Sequence, residues 1–367
     1  MRPLPAAIVF ALVLFCQAPA AGQEILIGLA GPMSGPFAVF GKQMKAGAEL
    51  AVNQINANGG VHQRKVRLII EDTKCEGDRA GSVANRMVGK EVAVVIGHFC
   101  SRSSISAAPI YAQNKIVQIS PASPNPHFTS QRPNPAGGTY RLGPKSDAEA
   151  LAIARHLEQL PRQQSIGLLH DGSAYGKGLV EAVRSAFSDK RRKFALVDEF
   201  RPGQKSYKRL IAKLHDSAVD VVFIGGYHAD IGLIARQAKA RGYDLQIIAG
   251  DPILTDDFAE VAKEGAVGVV AIAPPDPVMS KAAQELVAKL DAEGTDPDGY
   301  VLPTFAALQI WAAAGATSLD YLAVIQALNT QTFKTVLGEV SFDKQGNASL
   351  PDFIAYQWTE NGYRPVN

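Results

Sequence analysis

The hydrophobic pattern changes period again and again along the chain. Short runs dominated by aliphatic and β-branched residues occupy 25–29, 66–70, 92–96, 116–119, 166–170, 219–224 and 246–249, and the one at 92–96 is unbroken. Their length and composition suit strands buried on both faces. Between them lie longer stretches whose apolar residues recur three and four positions apart. From residue 41, Met44, Ala48, Ala51 and Ile55 share one helical face, and Asn58-Gly59-Gly60 stops the run. Helices are also predicted at 78–88, 146–160, 206–215, 280–293, 300–314 and 319–329. Three more open after Cys100, after Tyr175 (ending near 190) and after His228. Further strands are predicted at 139–142, 195–200 and 268–273, with two late ones at 338–342 and 353–358. Such alternation predicts an α/β protein with parallel sheets covered by helices on both faces.

The alternation lapses twice. Residues 123–138 hold four prolines and two glycines and read as a long surface loop. The short extended piece at 139–142 and the turn Gly143-Pro144 then mark a first crossing between two lobes. Pro274-Pro275-Asp276-Pro277 is a stiff connector and marks a second. A chain of 367 residues is long enough for two domains. The halves also echo each other: Phe40-Gly41-Lys42 and Tyr175-Gly176-Lys177 each follow the first strand and loop of a lobe, which would point one aromatic from each at a shared cleft.

Composition narrows the function. The net charge of +2 gives no footprint for nucleic acid or for an anionic membrane. The basic run 190–193 reads as a solvated helix end. At the N-terminus, Arg2 precedes an apolar core at 6–16 and small residues at 18–22, the parts of a cleaved secretory signal with an Ala-x-Ala site at 18–20. The core is too short to span a bilayer. Of three cysteines, removal of the signal leaves Cys75 and Cys100. In an oxidising compartment this pair is most simply a disulfide. A reactive cysteine is the weaker alternative, since no His or acid stands at an activating spacing.

Candidate chemistry gathers at strand ends. Strands 92–96 and 116–119 stop at Gly97 and Ser120-Pro121-Ala122-Ser123, and a serine cluster (Ser101, Ser103, Ser104, Ser106) opens the helix between them. In open α/β sheets this edge binds ligands, and a helix N-terminus with hydroxyls suits an anion. The serines would serve equally as helix caps. Enzyme motifs are missing: there is no His-Glu-x-x-His, no Gly-x-Ser-x-Gly and no Gly-x-Gly-x-x-Gly. Residues 172–178 fail as a phosphate loop because Gly178 stands where a hydroxyl is needed. His98 and Cys100 lack companions for a metal site. What remains is Ser101, Ala122, Tyr175, Tyr227 and Asp251, which offer donors for a carboxylate, an acid for a cation, and aromatic walls. That is the inventory for an α-amino acid zwitterion.

The segments GPMSGPFAVFG (31–41), VIGHFCS (95–101), ISPAS (119–123), HDGSAYGKG (170–178) and GGYH (225–228) carry a family resemblance. The chain resembles the periplasmic leucine/isoleucine/valine-binding proteins, type I solute-binding proteins of ABC transporters, over nearly all of its length after the signal. The resemblance implies two doubly wound parallel-sheet lobes joined by three hinge crossings, which close on the ligand. It assigns 1–22 to the signal, 23–142 with 275–350 to one lobe, and 143–274 with 351–367 to the other. It also implies a Cys75–Cys100 disulfide.

Carried over by position, Ser101 and the Ala122 backbone take the ligand carboxylate, and Tyr175 and Tyr227 close from the second lobe. Asp251 stands where the family has a glutamate that pairs with the ammonium, and Phe40 where it commonly has a tyrosine. Ser123 and Pro124 complete the binding loop, but Pro124 replaces a threonine whose N–H and hydroxyl both hold the ligand. Losing hydrogen bonds to a charged group costs roughly 1.5–3 kcal/mol each. A branched-chain or related small amino acid is therefore the leading ligand, with an aromatic or aliphatic carboxylate or an amide as the alternative. No cofactor or metal is expected. The expected setting is a periplasmic monomer that delivers its ligand to the membrane permease of an ABC importer. A ligand-sensing module on the same fold is a further reading, and a hydrolase using Ser101 the weakest, since no base lies near it in sequence.

Overall fold

The computed structural model describes residues 23–130, 132, 137–188, 192–349 and 351–366. The expected signal at 1–22, the predicted helix end near 190 with part of its basic run, and residues 131 and 133–136 of the proline-rich loop lie outside the described residues.

The first sheet is built from β1 (Ile25–Gly31), α1 (Ala38–Ala57), β2 (Val66–Asp72), α2 (Gly77–Gly89), β3 (Val94–Gly97), α3 (Ser101–Gln113), β4 (Val117–Ser120), α4 (His127–Ser130) and β5 (Thr139–Arg141). Its strands are all parallel, in the order β2-β1-β3-β4-β5. The second sheet follows from α5 (Ser146–Gln159), β6 (Ile166–His170), α6 (Gly176–Ala186), β7 (Leu196–Glu199), α7 (Lys208–Asp216), β8 (Val221–Gly225), α8 (His228–Ala240), β9 (Gln246–Gly250), α9 (Asp256–Ala262) and β10 (Val270–Ala273). Its parallel part runs β7-β6-β8-β9-β10, so the two lobes repeat one topology. In such an order the crevice falls between the first and third strands of each lobe, where the connections leave in opposite directions.

The remaining elements are α10 (Gln284–Ala292), α11 (Val301–Ala314), α12 (Tyr321–Thr330), β11 (Phe333–Thr335), β12 (Gly338–Val340), β13 (Ile354–Thr359) and β14 (Gly362–Val366). Helix α11 is apolar on every side and is buried accordingly, with Trp311 inside it. It packs on α1 so closely that a Cβ at Gly47 would strike the Val301 carbonyl. The two late strands differ from expectation. The one predicted at 338–342 shortens to β12 and forms a hairpin with β11, a three-residue strand too short to read from period. The other, β13, joins the second sheet antiparallel to β10 and turns back at Glu360-Asn361 into an unpredicted β14. The sheet is therefore not purely parallel: its far edge is a hairpin.

The chain passes between sheets three times: between β5 and α5, between β10 and α10, and between β12 and β13. Tyr356 ties the last two passages, its hydroxyl accepting from the Asp276 N–H at 2.7 Å and donating to the Pro274 carbonyl at 3.3 Å. Arg141 ties the first to the third. Its guanidinium is wholly buried and donates to the Ser123 and Asn125 carbonyls at 3.1 and 3.0 Å. It also donates to Thr129 Oγ1 and Asn347 Oδ1, both at 2.7 Å. Burial draws its pKa down to about 10, which leaves it charged at neutral pH. Cys75 and Cys100 are disulfide-bonded, with Cα atoms 5.3 Å apart, and so join the starts of α2 and α3. In the chain-entropy account a loop of this length adds roughly 3.5 kcal/mol of stability.

Replacing Arg141 with Met keeps much of the volume but removes the donor from four acceptors and leaves the Ser123 carbonyl, among them, without a hydrogen bond. Arg141→Met should lower the urea-unfolding free energy by roughly 3 kcal/mol or more. A loss below about 1 kcal/mol, the worth of one ordinary hydrogen bond, would contradict this bridging role.

Candidate ligand-binding site

Each predicted residue sits where a parallel strand gives way to its helix. Phe40 lies in the first turn of α1, and Ser101 begins α3, whose first amides have no intrahelical partners. Tyr175 and Tyr227 directly precede α6 and α8, and Asp251 follows β9. The glycines after Phe40 and Tyr175 allow close approach: a Cβ at Gly41 would strike the Pro32 carbonyl, and one at Gly176 the Gly225 carbonyl.

The structure brings Ser101, Ala122 and Pro124 of the first lobe together with Tyr175, Tyr227 and Asp251 of the second, around a cavity of about 20 Å³. The lobes touch across it. Phe37 and Tyr227 have ring centroids 4.7 Å apart, and Asn125 Nδ2 donates to the Ala174 carbonyl at 2.7 Å. Ser101 Oγ accepts weakly from the Asn125 N–H at 3.4 Å, and the Ala122 N–H reaches Ser120 Oγ at 3.3 Å. Neither group is held so firmly that a carboxylate could not displace its partner. Pro124 offers no N–H, and its carbonyl accepts from Ser146 at 2.9 Å.

Two expected residues lie apart from the cavity wall. Phe40 stands behind it, stacked on Phe99 at 4.4 Å and edge-on to Tyr300 at 5.8 Å. Ser123 turns away: its hydroxyl bonds Ser104 Oγ at 2.5 Å and donates to the His98 and Phe99 carbonyls at 3.1 and 2.9 Å. It serves to shape the loop.

Three residues of the site were not anticipated. Phe99 and Tyr300 line the cavity, with rings 4.8 Å apart and edge-on. The Tyr300 hydroxyl donates to Asp251 Oδ2. The third is Glu149, fully buried on α5, whose Oε1 accepts from the Tyr175 hydroxyl at 3.3 Å. The site thus contains two carboxyls, Glu149 fully buried and Asp251 partly so. Burial raises Glu149 well above the usual carboxylate range, and the nearby Asp251 charge raises it further. Burial also raises Asp251, against the lowering effect of the Tyr300 hydroxyl. With that donor in place, Asp251 is the charged member and Glu149 the protonated one. Burial, reinforced by these acids, pushes the Tyr175 and Tyr300 phenols upward, so both stay neutral.

Two α/β lobes joined by three crossings, with a hydroxyl and backbone amides from one and an acid and tyrosines from the other around a shared cavity, have the form of a hinged ligand receptor. A family profile for periplasmic binding proteins matches residues 24–363, and the chain belongs to that family. It is 34% identical over 341 residues to Leu/Ile/Val-binding protein homolog 1 of Brucella abortus, covering 92% of this chain and 91% of that one. It is 31% identical over 353 residues to the leucine-, isoleucine-, valine-, threonine-, and alanine-binding protein of Pseudomonas aeruginosa, covering 95% and 94%. In fold it resembles the substrate-binding protein of a Streptococcus pneumoniae branched-chain amino acid transporter, solved with isoleucine. That comparison has a TM-score of 0.83 at 23% identity and covers 94% and 99% of the two chains. The chain is a solute-binding protein and not an enzyme.

A carboxyl that binds its proton more tightly folded than unfolded stabilises the fold at low pH, and that stability is lost as pH rises. Glu149→Gln removes the titrating group. The ligand-free variant should gain stability over wild type upward from the ordinary glutamate range and gain little below it, measured by thermal unfolding across pH. A gain that does not change with pH would contradict the assignment.

Proposed function

We propose that this protein is the extracytoplasmic receptor of an ABC importer, carrying a branched-chain or related small amino acid between its lobes to a membrane permease. The observation that carries the reading is the opposition of Ser101 and Ala122 on one jaw to Asp251, held by Tyr300, on the other. A zwitterion offers each jaw its complement, and Tyr175 and Tyr227 close over the rest. The relatives' names for leucine, isoleucine and valine support the ligand class. A space of about 20 Å³ holds about one water, so the ligand enters with the lobes parted, and closure traps it. In this reading the chain is exported to the periplasm, its signal is cleaved near residues 20–22, and it works as a monomer. The lobes are 23–142 with 275–350 and 143–274 with 351–367.

A second reading, supported by Pro124 in the cavity wall, keeps the role but makes the ligand an aromatic or aliphatic carboxylate or an amide. Calorimetric titration of the mature protein separates the two. Leucine, isoleucine or valine should bind, whereas failure of all three at millimolar concentration beside binding of benzoate would favour the second.

Two substitutions test the jaws. Ser101→Ala removes one donor to a carboxylate and should weaken leucine binding about 10- to 100-fold. Asp251→Asn should weaken leucine by at least that much while sparing a ligand without an amino group. Equal losses for both ligands would contradict the role given to Asp251.

A further inference from the structure

Glu149 is more than a buried side chain of α5. Its Oε2 has no hydrogen-bond partner among the described residues, although the residue is fully buried. An acid in that position needs either a partner or a proton. Its carboxyl presses on the backbone immediately before Asp251: a Cβ at Gly250 would collide with both Glu149 Oε1 and the Tyr175 hydroxyl.

The groups that face it are Tyr175 from the start of α6, Asp251 after β9 and Tyr300 before α11, with Tyr227 before α8 packed against Tyr175. Strand β10, which packs on α5, brings no titratable side chain. At the start of α5 itself, Lys145 and Asp147 pair with each other at 2.7 Å. The nearest buried cation, Arg141, is spent on neutral oxygens. No Lys or Arg lines the cavity. Glu149, fully buried, and Asp251, partly buried and bordering a second cavity of about 300 Å³, therefore adjoin with no Lys or Arg on the wall of either cavity, which disfavours charge on both at once.

We propose that Glu149 is a positioning residue that holds the proton balancing this acid pair and yields it to solvent when a cationic amino group seats against Asp251, so that the cleft selects ligands by positive charge. The inference rests on the amino-acid reading above. The ligand ammonium keeps its protons, and the one released comes from the Glu149 carboxyl and goes to buffer. Binding of a cation then strengthens as pH rises, by up to tenfold per unit where the release is complete. A simple carboxylate adds negative charge to the same site, so its binding takes up a proton and weakens as pH rises.

The test is titration of the mature protein with L-leucine in two buffers of different ionisation enthalpy, between about pH 5 and pH 9. Wild type should release up to one proton per leucine, and Glu149→Gln should release none and lose the pH dependence. Leucine binding without proton release, or release that persists in Glu149→Gln, overturns the proposal and leaves the transport reading intact. A second readout needs no ligand. The infrared spectrum of wild type at pH 7 should show the carbonyl stretch of a buried protonated acid, missing from Glu149→Gln. Its absence from wild type overturns the proposal whether or not leucine binds, while failure of leucine to bind beside a present band counts against the ligand class alone.

Discussion

A single buried guanidinium fixes the geometry on which this cleft depends. Arg141 ends β5, and its backbone continues the contact by pairing with residues 346 and 348. Its side chain holds the carbonyls of the Ser123–Asn125 loop, so the donors of the first lobe and two of the three crossings share one anchor. Among the described residues no carboxylate opposes it at contact distance. A charge satisfied by neutral oxygens in fixed directions constrains the backbone more tightly than a mobile ion pair would. The loop bearing Ala122 and Pro124 can thus be short of secondary structure and still well placed.

The second lobe works by the opposite arrangement. Among the described residues no cation pairs with its two acids, Glu149 and Asp251, and the side-chain donors to them are the phenol hydroxyls of Tyr175 and Tyr300. Desolvated charge of this kind is costly until a ligand answers it. The aromatic wall of Phe99, Tyr300, Tyr175 and Tyr227, with Phe40 behind it, packs ring against ring and makes that cost felt. One jaw is therefore satisfied in itself and the other waits for a partner, and that asymmetry gives hinge closure something to gain.

Much of this was legible in the chain. Buried parallel strands announce themselves as short, mostly aliphatic runs, and in parallel sheets ligands bind at the ends of such strands. Ser101, Ala122, Tyr175, Tyr227 and Asp251 were proposed on that rule, and all five line one cavity. Glu149 was not, because it follows no strand and lies inside the helix predicted at 146–160. A signal existed: it precedes Ala150 and falls four residues before Ile153, on the buried stripe of α5, where an acid has no reason to be unless it has a function. Tyr300 hid at the start of an apolar helix, where an aromatic normally means packing. Ser123 was placed in the site because it neighbours Ala122, but the Ser123 N–H bonds Ser120 Oγ at 2.9 Å and turns its side chain inward. The hairpin of β13 and β14 escaped notice because Arg364 and Pro365 suit an exposed edge and break the apolar run.

The account stands most directly on one measurement, a crystal structure of the mature protein with L-leucine. It predicts the amino acid between the lobes, its carboxylate oxygens about 3 Å from Ser101 Oγ and the Ala122 N–H, and its ammonium against Asp251. Leucine lying in the reverse orientation, or bound outside the gap between the lobes, would contradict it.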